Sequence, residues 1–416
     1  MGMPIAFALC ITGFLGIMYT IDFSAAITQL GLVPYSTVSR YIMSIIPLFT
    51  FMGSLVFNSG IVMDLYKVAN KWLGVLPGGL AIGTIAGCTG FGAVSGSAVA
   101  AVGLMTETTL PEMLRYRYSP GLASGCIAAG ATLGILVPPS GPMVVYGILS
   151  EASIGKLLIA GIIPGILLAV FYALIVYIRC RLNPELGPRG DSTTIRDKVY
   201  SLASIWPAIL LAGAVIGGIW GGIFTPIEAA GVGSFLSLAL CLMKKKLNRK
   251  NLLEALISSI RSSAMIFSMF IGAQLFSYFL NTTRAPQAIG QYMANLQVPP
   301  SVIIIGIMAI YFIYGCVMDE AGLMMISLPI FLPIIKALGF DVIVFGVLVI
   351  VVMGAGMFMP PIGLNCFIIA NIAEKKYGIS LSTIYRGVLP FCIANITLIL
   401  LLIFFPSIAL FLPSLM

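Results

Sequence analysis

Long apolar runs separated by short polar segments dominate this sequence. Each run is roughly 17 residues or longer, which is enough to cross a bilayer as an α-helix. The runs lack the two-residue alternation of a transmembrane β-barrel, so the predicted class is an all-α polytopic membrane protein. The predicted spans lie near residues 4–20, 41–60, 120–149, 155–181, 201–221, 226–243, 261–281, 341–371 and 385–412.

Two more apolar segments, 77–111 and 300–337, are interrupted by small or acidic residues, and we predict that each is a re-entrant hairpin. A hairpin enters and leaves the bilayer at one face, which fixes the side of every later loop. With this topology 18 of the 22 Lys and Arg residues fall on one side, and the other 4 are Arg40, Lys156, Arg284 and Lys336. Because cytoplasmic loops are enriched in Lys and Arg, the predicted cytoplasmic loops are 61–74, 112–119, 182–200 and 244–251.

The composition agrees with a membrane protein and excludes several function classes. Hydrophobic residues make up 60% of the 416 residues and charged residues only 9%, against about 25% charged in soluble domains. The net charge of +8 resides in loop clusters such as 244–250, which marks cytoplasmic loops rather than a nucleic-acid surface. The chain has no His, and its eight Cys form no close pair. No zinc site, redox pair or hydrolytic centre is therefore predicted, and the protein is not expected to be an enzyme.

The second half of the chain repeats motifs of the first half. "GILVPPSG" at 134–141 aligns with "GMFMPPIG" at 356–363, and "GAVSGSAVAA" at 92–101 aligns with "GCVMDEAGLM" at 315–324. The two offsets are nearly equal, at 356 − 134 = 222 and 315 − 92 = 223. Five predicted crossings separate the two hairpins, and an odd number inverts the second repeat relative to the first. Inverted repeats with broken helices at matching positions indicate a secondary transporter whose site lies near the bilayer midplane.

These patterns predict two repeats that form a transport core and two groups of scaffold helices. The predicted divisions are scaffold helices in 1–75, repeat 1 in 76–181 (hairpin 77–111, broken helix 120–149), scaffold helices with an amphipathic connector in 182–299, and repeat 2 in 300–416 (hairpin 300–337, broken helix 341–371).

The helix breaks and hairpin tips carry the candidate chemistry. A helix broken by Pro-Pro leaves main-chain groups without partners, which is tolerated at membrane depth only beside water or an ion. Unwound carbonyls suit Na⁺, and half-helix N-termini suit a carboxylate. The candidates in repeat 1 are Ser95, Gly96 and Ser97 at the tip, and Gly134, Pro138, Pro139, Ser140 and Gly141 at the break. Those in repeat 2 are Asp319, Glu320 and Gly322 at the tip, and Gly356, Pro360, Pro361, Gly363 and Asn365 at the break.

A structural interpretation of these residues stays open beside the functional one. Gly and Ser at 95–97 are also typical of close helix packing in membranes. Asp319 and Glu320 are also suited to cap the second arm of their hairpin as N-terminal acids, which is compatible with an ion site nearby.

Three ordered segments of the sequence resemble one known family. They are "GAVSGSAVAAVGLMTETTLPEM", "YSPGLASGCIAAGATLGILVPPSGPMVVYG" and "MGAGMFMPPIGLNCFIIANI". Together they resemble the large membrane subunit of tripartite ATP-independent periplasmic (TRAP) transporters, the DctM-like permeases, over nearly the whole chain. Family members usually begin with a further apolar stretch before the segment that matches "PIAFALCITG", so the first span of the family is expected to be missing here.

The resemblance implies Na⁺-coupled uptake of an organic acid, such as a dicarboxylate or sialic acid, across the bacterial inner membrane. It also implies a periplasmic substrate-binding protein, a small four-helix membrane subunit, an elevator motion of the core against the scaffold, and no cofactor besides the coupling Na⁺. The family's two sodium sites lie between each hairpin tip and the facing helix break. They therefore fall on residues 95–97 with 138–141, and on residues 319–322 with 360–363.

Two rival functions are weighed against this one. A stand-alone ion-coupled carrier of organic anions, with related architecture, would need no binding protein. An ATP-driven permease is disfavoured because the chain contains no Walker-type phosphate loop and because the inverted repeat is typical of a carrier.

Overall fold

The fold is built from helices joined by short turns. The computed structural model describes residues 3–190, 194–295 and 298–416, without the side chains of residues 58, 62, 94, 95, 294 and 295. No strand occurs among these residues, and the predicted all-α class is confirmed. The first half contains α1 (Ile5–Thr20), α2 (Phe23–Val38), α3 (Ile45–Ser59), α4 (Ile61–Leu73), α5 (Gly79–Ser95), α6 (Ala98–Arg115), α7 (Pro120–Gly130), α8 (Gly141–Ser150), α9 (Ile154–Ala160) and α10 (Ile162–Leu182).

The second half begins with connecting helices and ends with the second repeat. The connecting helices are α11 (Ile195–Leu202), α12 (Trp206–Ala212), α13 (Gly218–Trp220), α14 (Pro226–Met243), α15 (Arg249–Thr283) and α16 (Ala285–Asn295). The repeat contains α17 (Pro300–Gly315), α18 (Glu320–Ala337), α19 (Val342–Gly356), α20 (Leu364–Tyr377), α21 (Leu381–Phe404) and α22 (Ser407–Leu410).

Helices α5 and α6 form the first hairpin, and α17 and α18 form the second. At the root of the first hairpin, the Tyr118 hydroxyl accepts a hydrogen bond from the Leu80 amide (3.2 Å) and donates to the Pro188 carbonyl (2.8 Å). Burial raises the pKa of Tyr118, so this hydroxyl stays protonated. In the second hairpin, Ser327 of α18 bonds to the Tyr311 hydroxyl of α17 at 2.7 Å. Each hairpin therefore starts and finishes at one end of the molecule.

Both predicted broken helices are interrupted where the Pro-Pro pairs occur, and they form the centre of the core. The first runs from α7 to α8 and the second from α19 to α20. Every residue in 122–140 and in 344–359 is buried. An apolar helix that is buried all round needs no polar face, which explains why both sequences are almost continuously hydrophobic.

The four loops predicted to be cytoplasmic lie together at one end of the molecule. The Trp72 indole N–H donates to the Lys198 carbonyl (3.2 Å), and the Ser119 amide donates to the Leu186 carbonyl (2.9 Å). Lys244 forms a 2.5 Å ion pair with Asp64. These contacts place the basic loops on one side, as the charge count requires, and the assignment of that side to the cytoplasm stays a prediction.

The structure differs from the predicted spans in three places. Residues 61–74, predicted as a loop, contain helix α4, whose Ile61, Tyr66 and Val68 are buried. Residues 23–38, which lie in no predicted span, form α2, where an internal proline and several hydroxyl residues weaken the apolar signal. The predicted span at 201–221 begins only at Trp206 and contains a π-helical segment at Gly213–Gly217.

Length and composition alone give fewer crossings than the nine predicted spans. Among the described residues, five helices are long and apolar enough to cross a bilayer, or seven if each of two bent pairs is one span. The difference arises because each broken helix appears as two short halves and because α1, with 16 residues, is too short to count as a span. Helix α18 is one of the five long apolar helices, although its antiparallel packing on α17 makes it one arm of a hairpin. The division into scaffold and core stays a prediction.

Candidate functional site

The tip of the first hairpin lies directly on the break of the first broken helix. Gly96 adopts φ +64°, which closes the turn between α5 and α6, and a methyl group there would lie 2.3 Å from the Pro139 carbonyl oxygen. A methyl group at Gly92 would lie 2.3 Å from the Gly134 Cα atom. This approach of two backbones needs glycine at both contacts. Tip and break therefore form one unit, here called tip–break unit 1.

Hydroxyl groups satisfy the two helix N-termini of tip–break unit 1. Ser97 caps α6 by accepting a hydrogen bond from the Ala100 amide at 3.3 Å. Ser140 caps α8 by accepting from the Met143 amide at 3.3 Å, and its hydroxyl donates to the Ile135 carbonyl inside the break. Of the predicted residues in this unit, the side chain of Ser95 lies outside the described residues.

The second repeat builds the same arrangement, here called tip–break unit 2. A methyl group at Gly356 would lie 2.5 Å from the carbonyl carbon of Gly315. These two glycines correspond to Gly134 and Gly92 at offsets of 222 and 223. The Gly363 amide, in a residue with φ +57°, donates to the Cys316 carbonyl at 3.2 Å. The internal repeat seen in the sequence is therefore a repeat of backbone contacts.

Asp319 and Glu320 begin the second arm of the second hairpin. Asp319 caps α18, because its Oδ2 accepts a hydrogen bond from the Gly322 amide at 3.0 Å. Within the described chain no hydrogen-bond donor reaches the other carboxylate oxygen of Asp319, and no ion pair involves Asp319 or Glu320. The capping interpretation thus accounts for one oxygen of Asp319, and neither carboxyl group has an ion-pair partner among the described residues.

Asn365 links unit 2 to the first repeat. Its side chain is fully buried, and its Nδ2 donates to the Ala128 carbonyl of α7 at 2.9 Å. Its Oδ1 has no hydrogen-bond partner among the described residues. An orphaned buried amide oxygen costs free energy unless a donor or a cation satisfies it. Asn365 is therefore the strongest side-chain candidate for a cation ligand in unit 2.

A cavity of about 730 Å³ lies between the two tips. Its wall includes the N-terminal residues of four helices, namely Ser97 before α6, Gly141 of α8, Glu320 of α18 and Leu364 of α20. Helix N-termini carry partial positive charge, and a side-chain cap satisfies only one of the first amides of each helix, so these ends suit an anion such as a carboxylate. The structure thus brings both tips and the first break to one chamber, whereas the second break reaches the lining only through Leu364, the residue that follows it.

The opposite wall comes from α3 and α15, and sequence reasoning did not identify its residues. Ser258 and Ser262 of α15 line the cavity together with Thr50 of α3. Serines four residues apart share one helix face, so the repeated "SS" pairs at 258–259 and 262–263 were an available signal. Among the described residues that line the cavity, none is Lys or Arg, and the acidic ones are Glu107, Glu254, Asp319 and Glu320.

Known proteins place this architecture in a family. The family described as tripartite ATP-independent periplasmic transporter, DctM component, matches residues 1–408. The chain belongs to this family. The chain is 31% identical over 390 residues to the C4-dicarboxylate TRAP transporter large permease protein DctM of Pseudomonas aeruginosa, covering 94% of this chain and 90% of that protein. It is 29% identical over 420 residues to the sialic acid TRAP transporter large permease protein SiaM of Vibrio cholerae, covering 100% and 95%.

A solved structure supports the fold of this TRAP permease independently of close sequence similarity. The crystal structure of the YdaH transporter of Alcanivorax borkumensis, described as having an unusual topology, matches with a TM-score of 0.72. The match covers 96% of this chain and 98% of YdaH at 14% identity, so it concerns the fold alone. The chain is thus a multi-pass membrane transporter subunit of the TRAP large-permease family, which is a family of transporters and not of enzymes.

Proposed function

We propose that this TRAP permease carries out Na⁺-coupled uptake of an organic acid across the bacterial inner membrane. The acid is a carboxylate, in the class of the dicarboxylates and sialic acid that the relatives' names specify. The observation that supports this proposal best is the cavity between the two tips, because residues at four helix N-termini line it, including those that follow each helix break.

Two sodium sites form part of the proposal, one in each tip–break unit. The available donors are main-chain carbonyls, hydroxyls, the Asn365 amide oxygen and the Asp319 carboxylate. Such oxygen donors at unwound backbone are the ligands that transporters use for Na⁺. Two bound cations beside a chamber that lacks Lys and Arg in its described lining would offset the negative charge of a bound acid.

The proposal includes partners and a motion. The family's name specifies a tripartite, periplasmic system, and we infer a periplasmic substrate-binding protein and a small four-helix membrane subunit as the other two parts. One wall of the cavity belongs to the predicted core and the other to α3 and α15. An elevator motion of the two tip–break units along that second wall would carry acid and sodium together.

The decisive experiment is uptake into proteoliposomes that contain this chain with its small subunit. The binding protein is supplied loaded with radiolabelled succinate or sialic acid, under an inward Na⁺ gradient or an equal K⁺ gradient. We expect uptake only with Na⁺ and only with the binding protein. Equal rates in Na⁺ and K⁺ would refute sodium coupling. Uptake of free acid without binding protein would instead favour the stand-alone carrier.

A further inference from the structure

The two breaks are satisfied by different hydroxyl groups. In unit 1 the donor is internal, because Ser140 donates to the Ile135 carbonyl within the break. The corresponding position in unit 2, at an offset of 222, is Ile362, which has no hydroxyl. The donor there is Tyr385 of α21, whose hydroxyl lies 2.7 Å from the Ile362 carbonyl oxygen and 3.0 Å from that of Pro361.

Tyr385 has no counterpart in the first repeat. The motifs "GIIP" at 161–164 and "GVLP" at 387–390 align at an offset of 226, so the residue that corresponds to Tyr385 is Ile159. Ile159 is buried and has no hydrogen-bonding side chain. The carbonyl that corresponds to that of Ile135 is the Met357 carbonyl, which accepts from the Asn365 main-chain amide at 2.9 Å. Tyr385 therefore satisfies two other carbonyls of the second break, those of Pro361 and Ile362.

The two breaks also differ in exposure. All residues in 136–140 are buried, whereas Pro360, Pro361 and Ile362 are exposed at the surface of the chain. An exposed break has fewer packing contacts to fix its shape, so its peptide groups depend more on specific hydrogen bonds. The hydrogen bond from Tyr385 is of this kind. Beyond the break, the Gly363 amide donates to the Cys316 carbonyl and the Asn365 side chain donates to the Ala128 carbonyl, and these bonds fix the residues that follow.

We propose that Tyr385 is a positioning residue for the sodium site of tip–break unit 2. By holding the Pro361 and Ile362 carbonyls against α21, it keeps the break in one shape when no ion is bound. Ligands that are already in place bind an ion more tightly than ligands that must first be ordered. The inference rests on the proposed function, since it assigns a role in that same sodium site, and Tyr385 itself is not a ligand.

The test measures sodium-specific thermal stabilisation of the purified full chain, titrated with NaCl against KCl. For Tyr385→Phe we expect the Na⁺ concentration for half-maximal stabilisation to rise about 3- to 10-fold, the range that corresponds to one neutral hydrogen bond. The matched control is Tyr146→Phe, which removes a hydroxyl bond of the same kind to the Val342 carbonyl (2.6 Å) at the far end of α19 from this break. It should leave the sodium titration unchanged.

A second measurement covers the case in which Tyr385→Phe does not fold without salt. The variant is then purified in saturating NaCl, where the bound ion can order the Pro361 and Ile362 carbonyls without the hydroxyl, and the titration is run by dilution. A half-maximal Na⁺ concentration above that of the wild type supports the role, and an equal concentration, or failure to fold even in saturating NaCl, overturns it.

The outcomes separate this inference from the proposed function. If the wild-type chain responds equally to NaCl and KCl, sodium coupling itself fails. If the wild type responds to Na⁺ but Tyr385→Phe titrates like Tyr146→Phe, sodium coupling stands and the positioning role of Tyr385 is wrong.

Discussion

Replacement of Asp319 by Asn tests whether this residue binds an ion or only caps a helix. Asn is as good an N-cap as Asp, so Asp319→Asn keeps the hydrogen bond from the Gly322 amide. The change removes the negative charge while retaining the shape of the side chain. The oxygen that receives no donor from the described residues becomes part of a neutral amide. Any effect on sodium dependence therefore reports the charge and not the cap.

The expected magnitude follows from the exposure of the site to the cavity and from the number of ligands lost. Removal of one charged partner from a partly dehydrated site costs about 1–3 kcal/mol, because the ion keeps its desolvation penalty. Each 1.4 kcal/mol is tenfold in affinity, so the half-saturating Na⁺ concentration should rise roughly 5- to 150-fold. Asp319→Ala should add about 0.5–2 kcal/mol of destabilisation, because it also removes the cap.

The assay combines uptake against Na⁺ concentration with thermal unfolding of the same preparations. We expect Asp319→Asn to unfold like the wild type while its sodium curve moves to higher concentration, and Asp319→Ala to show both changes. An unchanged sodium curve for Asp319→Asn, with lower stability for Asp319→Ala alone, would show that Asp319 only caps α18 and would refute the ion-ligand role.

Three further predictions concern other parts of the molecule. Ser97→Ala should raise the half-saturating Na⁺ concentration less than Asp319→Asn does, because its hydroxyl caps α6 and main-chain oxygens of the tip remain; the uptake titration checks this. Gly92→Ala should lower the free energy of unfolding by about 1–3 kcal/mol through overpacking and raise the half-saturating Na⁺ concentration, since its methyl group would lie 2.3 Å from the Gly134 Cα atom. The control Gly306→Ala should be neutral, because a methyl group there meets nothing within 4 Å. A single Cys at position 246 in a Cys-free chain should react with an impermeant thiol reagent only from the cytoplasm, and reaction in intact cells would contradict the predicted sidedness.

The sequence predicted the features that depend on local composition. The lengths of the apolar runs predicted the bounds of α14 and the end of α10 within a few residues, and the span predicted at 261–281 lies inside the longer helix α15. The Pro-Pro pairs located both breaks, because proline removes a main-chain donor wherever it occurs. The charge count separated the hairpins from true spans, and the contacts of Trp72 and Lys244 place the basic loops at one end.

The sequence could not predict features that depend on contacts between distant helices. The serine face of α15 becomes part of a cavity wall only because α15 packs beside α3, as shown by the 2.9 Å bond between Ser259 and Thr50. The hydrogen bond from the Tyr385 hydroxyl to the Ile362 carbonyl forms only because α21 packs beside the second break. The spacing of the serines indicates a polar face on α15 but not its partner, and a tyrosine is not unusual in a membrane helix, so the sequence alone predicted neither contact.

Main-chain carbonyl groups form many of the contacts in both units, so deleting side chains tests only part of each proposed sodium site. Pro139 and Cys316 contribute carbonyl oxygens to the tip–break contacts, and Pro361 and Ile362 contribute theirs to the contact with Tyr385. No substitution removes a carbonyl. The glycine contacts and the Tyr385 hydrogen bonds act on the positions of those oxygens instead. If sodium binds at these units, changes that displace backbone, such as Gly92→Ala, should disturb it more than most changes that delete a side-chain oxygen. Asp319 and Asn365 are the exceptions, because each has an oxygen that receives no hydrogen bond from the described residues.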